Sequence, residues 1–285
     1  MNSEDNLVLA ALQIEPSSSL TDTFLQIQEL TEQAKAKESH IDCLVLPEYA
    51  FGTFREWSTS KLDNPQMIEL VHKTISDLAR KHKLSIVAGS VPYRTREDQW
   101  RNRSYLFSAS GSMLGSFDKH HPFRAEKRLG LEPGTQIPVF RVGKYELAIL
   151  ICSDLWYHDL LTPVVDKVDF LAVPTMTTVL KREHIAYGQW VWQALVAVRA
   201  KEYTIPIVSA DQGVREYAPG VFTCGGSCIA DPSHRFSDQE GPYQKALRVT
   251  LHRTAPFIIS KISLSAIHEY AQYRRDTGLH EEKRE

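Results

Sequence analysis

A chain of 285 residues with 42% hydrophobic and 24% charged residues has the make-up of a globular protein that can bury a full-sized core. Its formal charge of -2 gives neither nucleic acid nor an anionic membrane a reason to bind it, and no apolar run approaches the roughly 20 residues that cross a bilayer. The opening Met1-Asn2-Ser3-Glu4-Asp5 is acidic and polar, unlike a secretory leader, so a cytoplasmic protein is expected. In that setting Cys43, Cys152, Cys224 and Cys228 are too few and too scattered for a disulfide framework. Cys224 and Cys228 have no second Cys/His pair nearby and no H-E-x-x-H is present, so no metal is expected.

Taken in order, Leu7 to Ile14 reads as a first strand, closed by Pro16 and a serine-rich turn. Thr21 or Asp22 then caps a helix to about Lys37, with Phe24, Ile27, Leu30 and Ala34 along one face. Ile41 to Leu46 is a second strand ending in Pro47-Glu48-Tyr49, and Pro65 opens a helix whose apolar face carries Ile68, Val71, Ile75, Leu78 and Ala79. Leu84 to Gly89 is a buried strand. Tyr105–Ala109 and Met113–Phe117 flank Ser110-Gly111-Ser112 as a hairpin, followed by a long polar connection from Asp118 to Pro138. A second hairpin turns at Gly143-Lys144. After it come a helix-like segment from Leu155 to Val165 and a strand at Val168–Val173. A long helix from Glu183 to Tyr203, apolar on most sides, is expected to be buried. Strands at Ile205–Ser209, Gly226–Ala230 and Phe257–Ile262 complete the pattern. Helices and strands alternate without a linker-like break, giving one α/β domain over residues 1–270 and a charged, solvated tail over 271–285.

Tyr145 to Ile151 is an apolar run that ends abruptly at Cys152, followed by Ser153-Asp154-Leu155-Trp156. Such a strand is buried on both faces, and its end is where an α/β fold presents reactive groups to a cleft. By itself Cys152 reads either as a small core residue or as a nucleophile. Glu48 and Lys119 stand at comparable places, each just after a strand, and strand ends on one side of a sheet converge.

Together these stretches resemble the nitrilase superfamily of carbon-nitrogen hydrolases, in its amidase-like branch. Leu46-Pro47-Glu48-Tyr49 matches the family's glutamate motif, Phe117-Asp118-Lys119-His120-His121 its lysine motif, and Ile151-Cys152-Ser153-Asp154-Leu155-Trp156 its cysteine motif, in family order. Lesser matches at Pro174, Arg199–Tyr203 and Gly225–Pro232 extend the likeness over roughly residues 7 to 262. The resemblance implies a four-layer α-β-β-α sandwich, at least a dimer in solution, and no cofactor.

It also implies a thiol hydrolase that cleaves a small linear amide, with an ω-amide of a dicarboxylic acid or an N-carbamoyl compound as candidates, and releases ammonia or an amine. A thiol with a pKa of about 8.5 is scarcely ionised at neutral pH, so a carboxylate beside it must take its proton, and Glu48 is the candidate. Lys119 and the backbone N–H of Ser153 would stabilise the oxyanion, and Glu48 would serve again as acid and base while a thioester on Cys152 forms and is hydrolysed.

Glu126 resembles the family's second glutamate, with Glu132 as a rival. Asp154 is expected to hold the turn through backbone N–H groups. Tyr49 and Trp156 either wall the substrate pocket or pack in the core, and Arg199 and Glu202 are spaced to pair on a helix. Where the family commonly has a His-Leu pair two positions after its lysine, this chain has Lys119-His120-His121-Pro122-Phe123. His120, His121, Arg124 and Arg182 therefore either bind substrate or face water, and substrate identity stays open. An N-carbamoyl amidohydrolase, a nitrilase, a soluble acyltransferase and a non-catalytic binding protein on the same fold are the alternatives.

Overall fold

Alternate residues of the first strand enter two different cores, and this sets the layering of the whole molecule. Leu7, Leu9 and Ala11 belong to one buried cluster and Val8, Ala10 and Leu12 to another, so a continuous apolar run is satisfied on both faces. The computed structural model describes residues 6–17, 19–53, 56–57, 64–233, 247–249 and 256–278.

The first 118 residues supply β1 (Asn6–Leu12), β2 (Cys43–Val45), β3 (Ser85–Val87), β4 (Val91–Arg94), β5 (Trp100–Phe107) and β6 (Met113–Asp118). There follow β7 (Phe140–Val142), β8 (Tyr145–Ile149), β9 (Phe170–Pro174), β10 (Thr178–Val179), β11 (Ile207–Ala210), β12 (Glu216–Ala218), β13 (Val221–Thr223), β14 (Cys228–Ala230), β15 (Leu247–Val249) and β16 (Phe257–Ser263). One sheet has the order β16-β1-β2-β3-β5-β4, with β6 paired to β5; the other runs β15-β14-β11-β9-β8-β7. The centres of both, β1-β2-β3 and β8-β9-β11, are parallel. A small third sheet, β10-β13-β12, lies apart from them.

The helices that accompany the sheets among the described residues include α1 (Leu20–Lys37), α2 (Asn64–His82), α3 (Arg124–Arg128), α4 (Ile185–Tyr203) and α5 (Leu264–Asp276). α1 and α2 cover one face of the first sheet through Ile27, Leu30, Ala34, Val71, Ile75 and Ala79. The other face meets the second sheet, where Cys43, Val45, Val87 and Leu106 share a core with Leu147, Ile149, Leu171, Val173 and Val208. Trp192, Val196 and Ala200 of α4 close the far side. The result is the expected four-layer α-β-β-α sandwich.

Several elements differ from the sequence reading for identifiable reasons. α1 is capped two residues earlier than expected, by Ser19, whose hydroxyl accepts from the Asp22 N–H at 3.3 Å. The segment after Cys152 is a series of short 3-10 turns (Cys152–Trp156, His158–Leu161, Val165–Lys167), because Pro163 lacks the N–H that a continuous helix would use. β4, which the apolar pattern did not disclose, holds Pro92 and lies at a sheet edge, where a missing ladder donor is tolerated. α4 buries one face only: Trp190 is 65% exposed and Val198 59%. An all-round apolar helix laid on one sheet leaves its outer side uncovered.

α5 crosses position 270, where the charged tail was expected to begin. It is capped by the Ser263 hydroxyl, and Arg274 is held by the Glu202 carbonyl at 3.0 Å and Thr204 Oγ1 at 2.7 Å, so the fold continues to Asp276. Residues 1–5 and 279–285, which include the acidic opening and the end of the expected tail, lie outside the described residues.

Leu9 is fully buried between the sheets, whereas Leu25 on the outer side of α1 is 52% exposed. Leu9→Ala is expected to cost about 2–5 kcal/mol and Leu25→Ala within about 0.5 kcal/mol, read from urea unfolding midpoints; equal shifts would contradict this placement of the core.

Candidate active site

Three strand ends meet between the sheets. β2 leads into Leu46-Pro47-Glu48-Tyr49, and this corner is pinned from both sides. The Glu48 N–H donates to the Thr175 carbonyl just past β9 at 3.1 Å, and Gln212 Nε2, just past β11, donates to the Glu48 carbonyl at 2.9 Å. Tyr49 has φ +53°, a conformation that costs a non-glycine residue free energy. Its N–H is held by Ser90 Oγ at 3.1 Å. Gly89 is obligatory here, since a Cβ on it would lie 2.1 Å from the Pro47 carbonyl oxygen.

Lys119 follows β6. Asp118 before it is clamped by Arg103 (2.6 and 2.8 Å) and Arg101 (3.1 Å), and the Lys119 N–H donates to the Asn102 carbonyl at 2.9 Å. Cys152 follows β8 with φ +45°, a second left-handed non-glycine residue in the same site. Such outliers persist where the surroundings over-determine them, and they cluster at functional positions.

The electrostatic centre is a buried ammonium between two carboxylates. Lys119 Nζ donates to Glu48 Oε1 at 2.6 Å and to Glu126 Oε2 at 2.7 Å, and all three side chains are almost wholly removed from solvent. Asn102 Nδ2 bridges the same pair, donating to Glu48 Oε1 at 2.8 Å and Glu126 Oε1 at 2.7 Å. Glu126 also accepts from the Tyr49 hydroxyl at 2.6 Å and the Phe123 N–H at 2.5 Å. One cation therefore faces two carboxyls, leaving an excess negative charge under low dielectric. The better-solvated carboxyl keeps it: burial pushes Glu126 up, but Lys119, Tyr49 and the Phe123 N–H outweigh this and hold it below its ordinary value. Glu48 has fewer donors, and burial, opposed by Lys119 and aided by Glu126, pushes it up to about 7.

The Cys152 thiol interacts with the Glu48 carboxyl. Burial and then the Glu48 charge push the thiol up, against Lys119, so it rests protonated. Burial opposes the charge on Lys119, but the two carboxylates win and keep it an ammonium. Tyr49 is held well above its ordinary value by burial and then by the Glu126 charge, and so remains a donor.

Asp154, fully buried, joins the lysine and cysteine segments. It accepts from the Ile151 N–H at 3.1 Å, the His121 N–H at 2.7 Å, the His120 N–H at 3.4 Å and His121 Nδ1 at 3.2 Å. Ser153 Oγ donates to the His121 carbonyl at 2.6 Å. Arg199 pairs with Glu202 at 2.5 Å and also donates to the carbonyls of Leu155 and Trp156, both at 3.0 Å, tying α4 to the turn that begins at Cys152.

A cleft of about 460 Å³ opens against Ser153 and is walled by His121, whose ring stacks on Tyr157 with centroids 3.6 Å apart. Tyr157 rather than Trp156 lines it; Trp156 is 52% exposed and Tyr49 is committed to Glu126. Arg124 reaches the cleft; Arg182, exposed in a 3-10 turn, does not line it, and His120 stacks on Phe117 and meets the Gln136 carbonyl at 3.1 Å. Glu132 is exposed, so Glu126 is the carboxylate on Lys119. Sequence reasoning missed Asn102 and Gln212. Extending the β5–β6 hairpin one step past the Arg103–Asp118 pair brings Asn102 opposite Lys119, a signal that was available. Gln212 had no local signal: its place is set by Asp211, which takes N–H bonds from Thr177, Gly226 and Gln212 and which burial pushes up to about 6. Among the described residues no cluster of three or more His, Cys, Asp or Glu could hold a metal, and no helix is long and apolar enough to cross a membrane.

The family model described as "Carbon-nitrogen hydrolase" matches residues 8–271. The chain belongs to the carbon-nitrogen hydrolase family, within the nitrilase superfamily. It is 27% identical over 225 residues to the 2-oxoglutaramate amidase of Bacillus subtilis, covering 75% of this chain and 80% of that protein. With the Saccharomyces cerevisiae omega-amidase NIT3 it shares 22% over 236 residues, covering 77% and 78%. The crystal structure of Saccharomyces cerevisiae Nit3 superposes with a TM-score of 0.77 at 17% identity over 99% of this chain and 97% of that one. An amidase from Nesterenkonia sp. does so with a TM-score of 0.70 at 19% identity, over 95% of each chain.

For this hydrolase fold the resting thiol makes a specific prediction. Alkylation of Cys152 by iodoacetamide is expected to accelerate as pH rises through about 7, where Glu48 becomes able to take the proton. Because the Glu126 charge is one of the forces holding Glu48 up, Glu126→Gln should move that midpoint to lower pH, and Glu48→Gln should erase it. A profile unchanged in Glu48→Gln would show that another group takes the proton.

Proposed function

We propose that this carbon-nitrogen hydrolase is an amidase that attacks a small linear amide with Cys152 and passes through a thioester. The observation that carries this reading is a protonated thiol beside a carboxyl poised at about 7 and an ammonium held permanently charged. That is the set of groups that acyl transfer needs. The names of the relatives, an omega-amidase and a 2-oxoglutaramate amidase, support amide hydrolysis. So does the Nesterenkonia amidase, a mutant of which shows covalent addition of the acetamide moiety of fluoroacetamide at its active-site cysteine.

In the first half-reaction Glu48 accepts the Cys152 proton as sulfur adds to the amide carbon. A thiol raised by burial and by Glu48 would not release its proton to water at neutral pH, so transfer and attack proceed together. The carbonyl oxygen becomes an oxyanion, and Lys119 Nζ with the Ser153 N–H stabilises it; removing one such donor typically costs about 100- to 1000-fold. Protonated Glu48 then gives its proton to the leaving nitrogen, the C–N bond breaks, ammonia or an amine departs and a thioester remains. In the second half Glu48 takes a proton from water, hydroxide adds to the thioester carbon, and the thiolate leaves and recovers its proton from Glu48. Glu126 does not transfer protons in this scheme; with Asn102 it positions Lys119 and sets the basicity of Glu48.

The reading extends to one hydrolase domain that needs no cofactor, in a reducing, cytoplasmic setting that the free thiols of Cys43, Cys152, Cys224 and Cys228 support. It extends also to a homodimer or larger homo-oligomer, supported by the uncovered apolar face of α4 with Tyr187, Trp190 and Val198.

Ammonia release from a panel of linear amides tests the assignment. Cys152→Ala should abolish it, and Glu48→Gln should lower kcat by about 100- to 10,000-fold, with mass spectrometry trapping an acyl adduct on Cys152 in the wild type. Undiminished turnover in Cys152→Ala would sink the mechanism.

A further inference from the structure

Thr175 stands where the parallel pairing of β8 and β9 brings it level with Cys152. The register sets Ile149 opposite Ala172, and the same offset, carried on past both strands, reaches Cys152 and Thr175. The backbone of Thr175 is committed on both sides: its N–H donates to the Ala210 carbonyl at 2.8 Å, and its carbonyl accepts from the Glu48 N–H at 3.1 Å. The side chain is thereby fixed beside the cysteine and glutamate corners and is wholly removed from solvent. There its hydroxyl interacts with the Cys152 sulfur, which also faces the Glu48 carboxyl and the Met176 carbonyl, the latter at 4.0 Å.

Other buried hydroxyls of the sandwich donate to carbonyls: Thr31 to Ile27 at 2.7 Å, Ser227 to Asp211 at 3.3 Å, and Thr223 to Gly213. Thr175 Oγ1, among the described residues, makes no hydrogen bond at rest. An unpaired buried hydroxyl costs the fold free energy that a methyl group in its place would not, so packing gives no reason to keep it. The state of its neighbour accounts for it. A protonated thiol is a weak acceptor, whereas a sulfur that has lost its proton is a strong, charge-assisted one.

We infer that Thr175 is a further catalytic residue, whose hydroxyl donates to the Cys152 sulfur whenever that sulfur carries negative charge, as it attacks and again as it leaves the thioester. This rests on the thioester reading for the identity of the reaction. Thr175 transfers no proton: it keeps its hydrogen while the Cys152 proton passes to Glu48 and later returns. Lys119 cannot serve both ends of the reacting bond, being divided between two carboxylates and directed to the carbonyl oxygen. A neutral donor also suits the sulfur better than a second cation would, because a permanent positive charge there would favour the thiolate at rest.

Alkylation reports on the sulfur without any substrate. At a pH above the Glu48 midpoint, iodoacetamide should modify Cys152 about 3- to 10-fold more slowly in Thr175→Val than in the wild type, read by peptide mass spectrometry. The lost donor lowers the thiolate share more than the remaining thiolate gains in nucleophilicity. Thr175→Ser should restore most of the rate. The melting temperature of Thr175→Val should equal or exceed that of the wild type, since an unpaired hydroxyl has been removed. With a linear amide that the wild type hydrolyses, kcat should fall about 10-fold in Thr175→Val and recover in Thr175→Ser. Unchanged alkylation in Thr175→Val, or a loss that comes with a lower melting temperature and is not restored by Thr175→Ser, would overturn the assignment and leave the amidase standing. Were no amide turned over by the wild type while the alkylation difference held, the amidase reading would fall and the donor to sulfur would stand.

Discussion

A single ammonium shared by two buried carboxyls is the constraint on which the rest of this site depends. Two carboxylates around one cation leave one charge too many for a low-dielectric interior, and the surplus must be either neutralised by a proton or solvated by fixed donors. The protein does each on a different side. Glu126 is surrounded by Lys119, Asn102, the Tyr49 hydroxyl and the Phe123 N–H and stays ionised, whereas Glu48 has Lys119, Asn102 and the Cys152 thiol and is pushed up to about 7. Two chemically identical side chains thus acquire different roles from the number of hydrogen bonds aimed at them.

Holding that balance requires both sheets. Glu48 and Lys119 leave the first sheet and Cys152 the second, so any sliding between the layers would alter the distances that set the titration of Glu48. The cross-ties are placed against such sliding. Thr175 and Gln212 of the second sheet hold the backbone of Glu48, and Asp154 beside Cys152 holds the backbone of His120 and His121 beside Lys119. The left-handed conformations of Tyr49 and Cys152 cost roughly 1–3 kcal/mol each, and the packed interface between the sheets offsets that strain.

Much of this was legible in the sequence where the physics is local. Runs such as Leu7–Leu12 and Tyr145–Ile151 announce strands buried on both faces, and the Pro47-Glu48, Asp118-Lys119 and Cys152-Ser153 junctions announce polar groups placed directly after them. What stayed hidden depends on partners far away in the chain. Asn102 alternates with Arg101 and Arg103 along its strand, but that it meets Glu48 and Glu126 depends on its pairing with Lys119 of the neighbouring strand and on residues far from it in sequence. α3 lies within the polar connection and, at five residues, has no periodicity to read; Glu126 meeting Lys119, seven residues before it, fixes it. α4 looked buried because composition reports what a helix could cover and not which of its sides the rest of the chain reaches.

The same balance keeps Cys152, the proposed nucleophile, from being ionised at rest. A thiolate ready at rest would react with any electrophile or oxidant that reached it, since the thiolate is the reactive form. Here burial and the Glu48 charge hold Cys152 protonated, and Lys119, which opposes them, is already divided between two carboxylates. Under the proposed mechanism only a group that adds to sulfur as the proton leaves, and that hands its developing negative charge to Lys119, would make the transfer favourable. In the proposed mechanism proton, cation and nucleophile are therefore released together or not at all, and selectivity for an acyl carbon would follow from the charge count of the site before any contact with the substrate's side chain is considered.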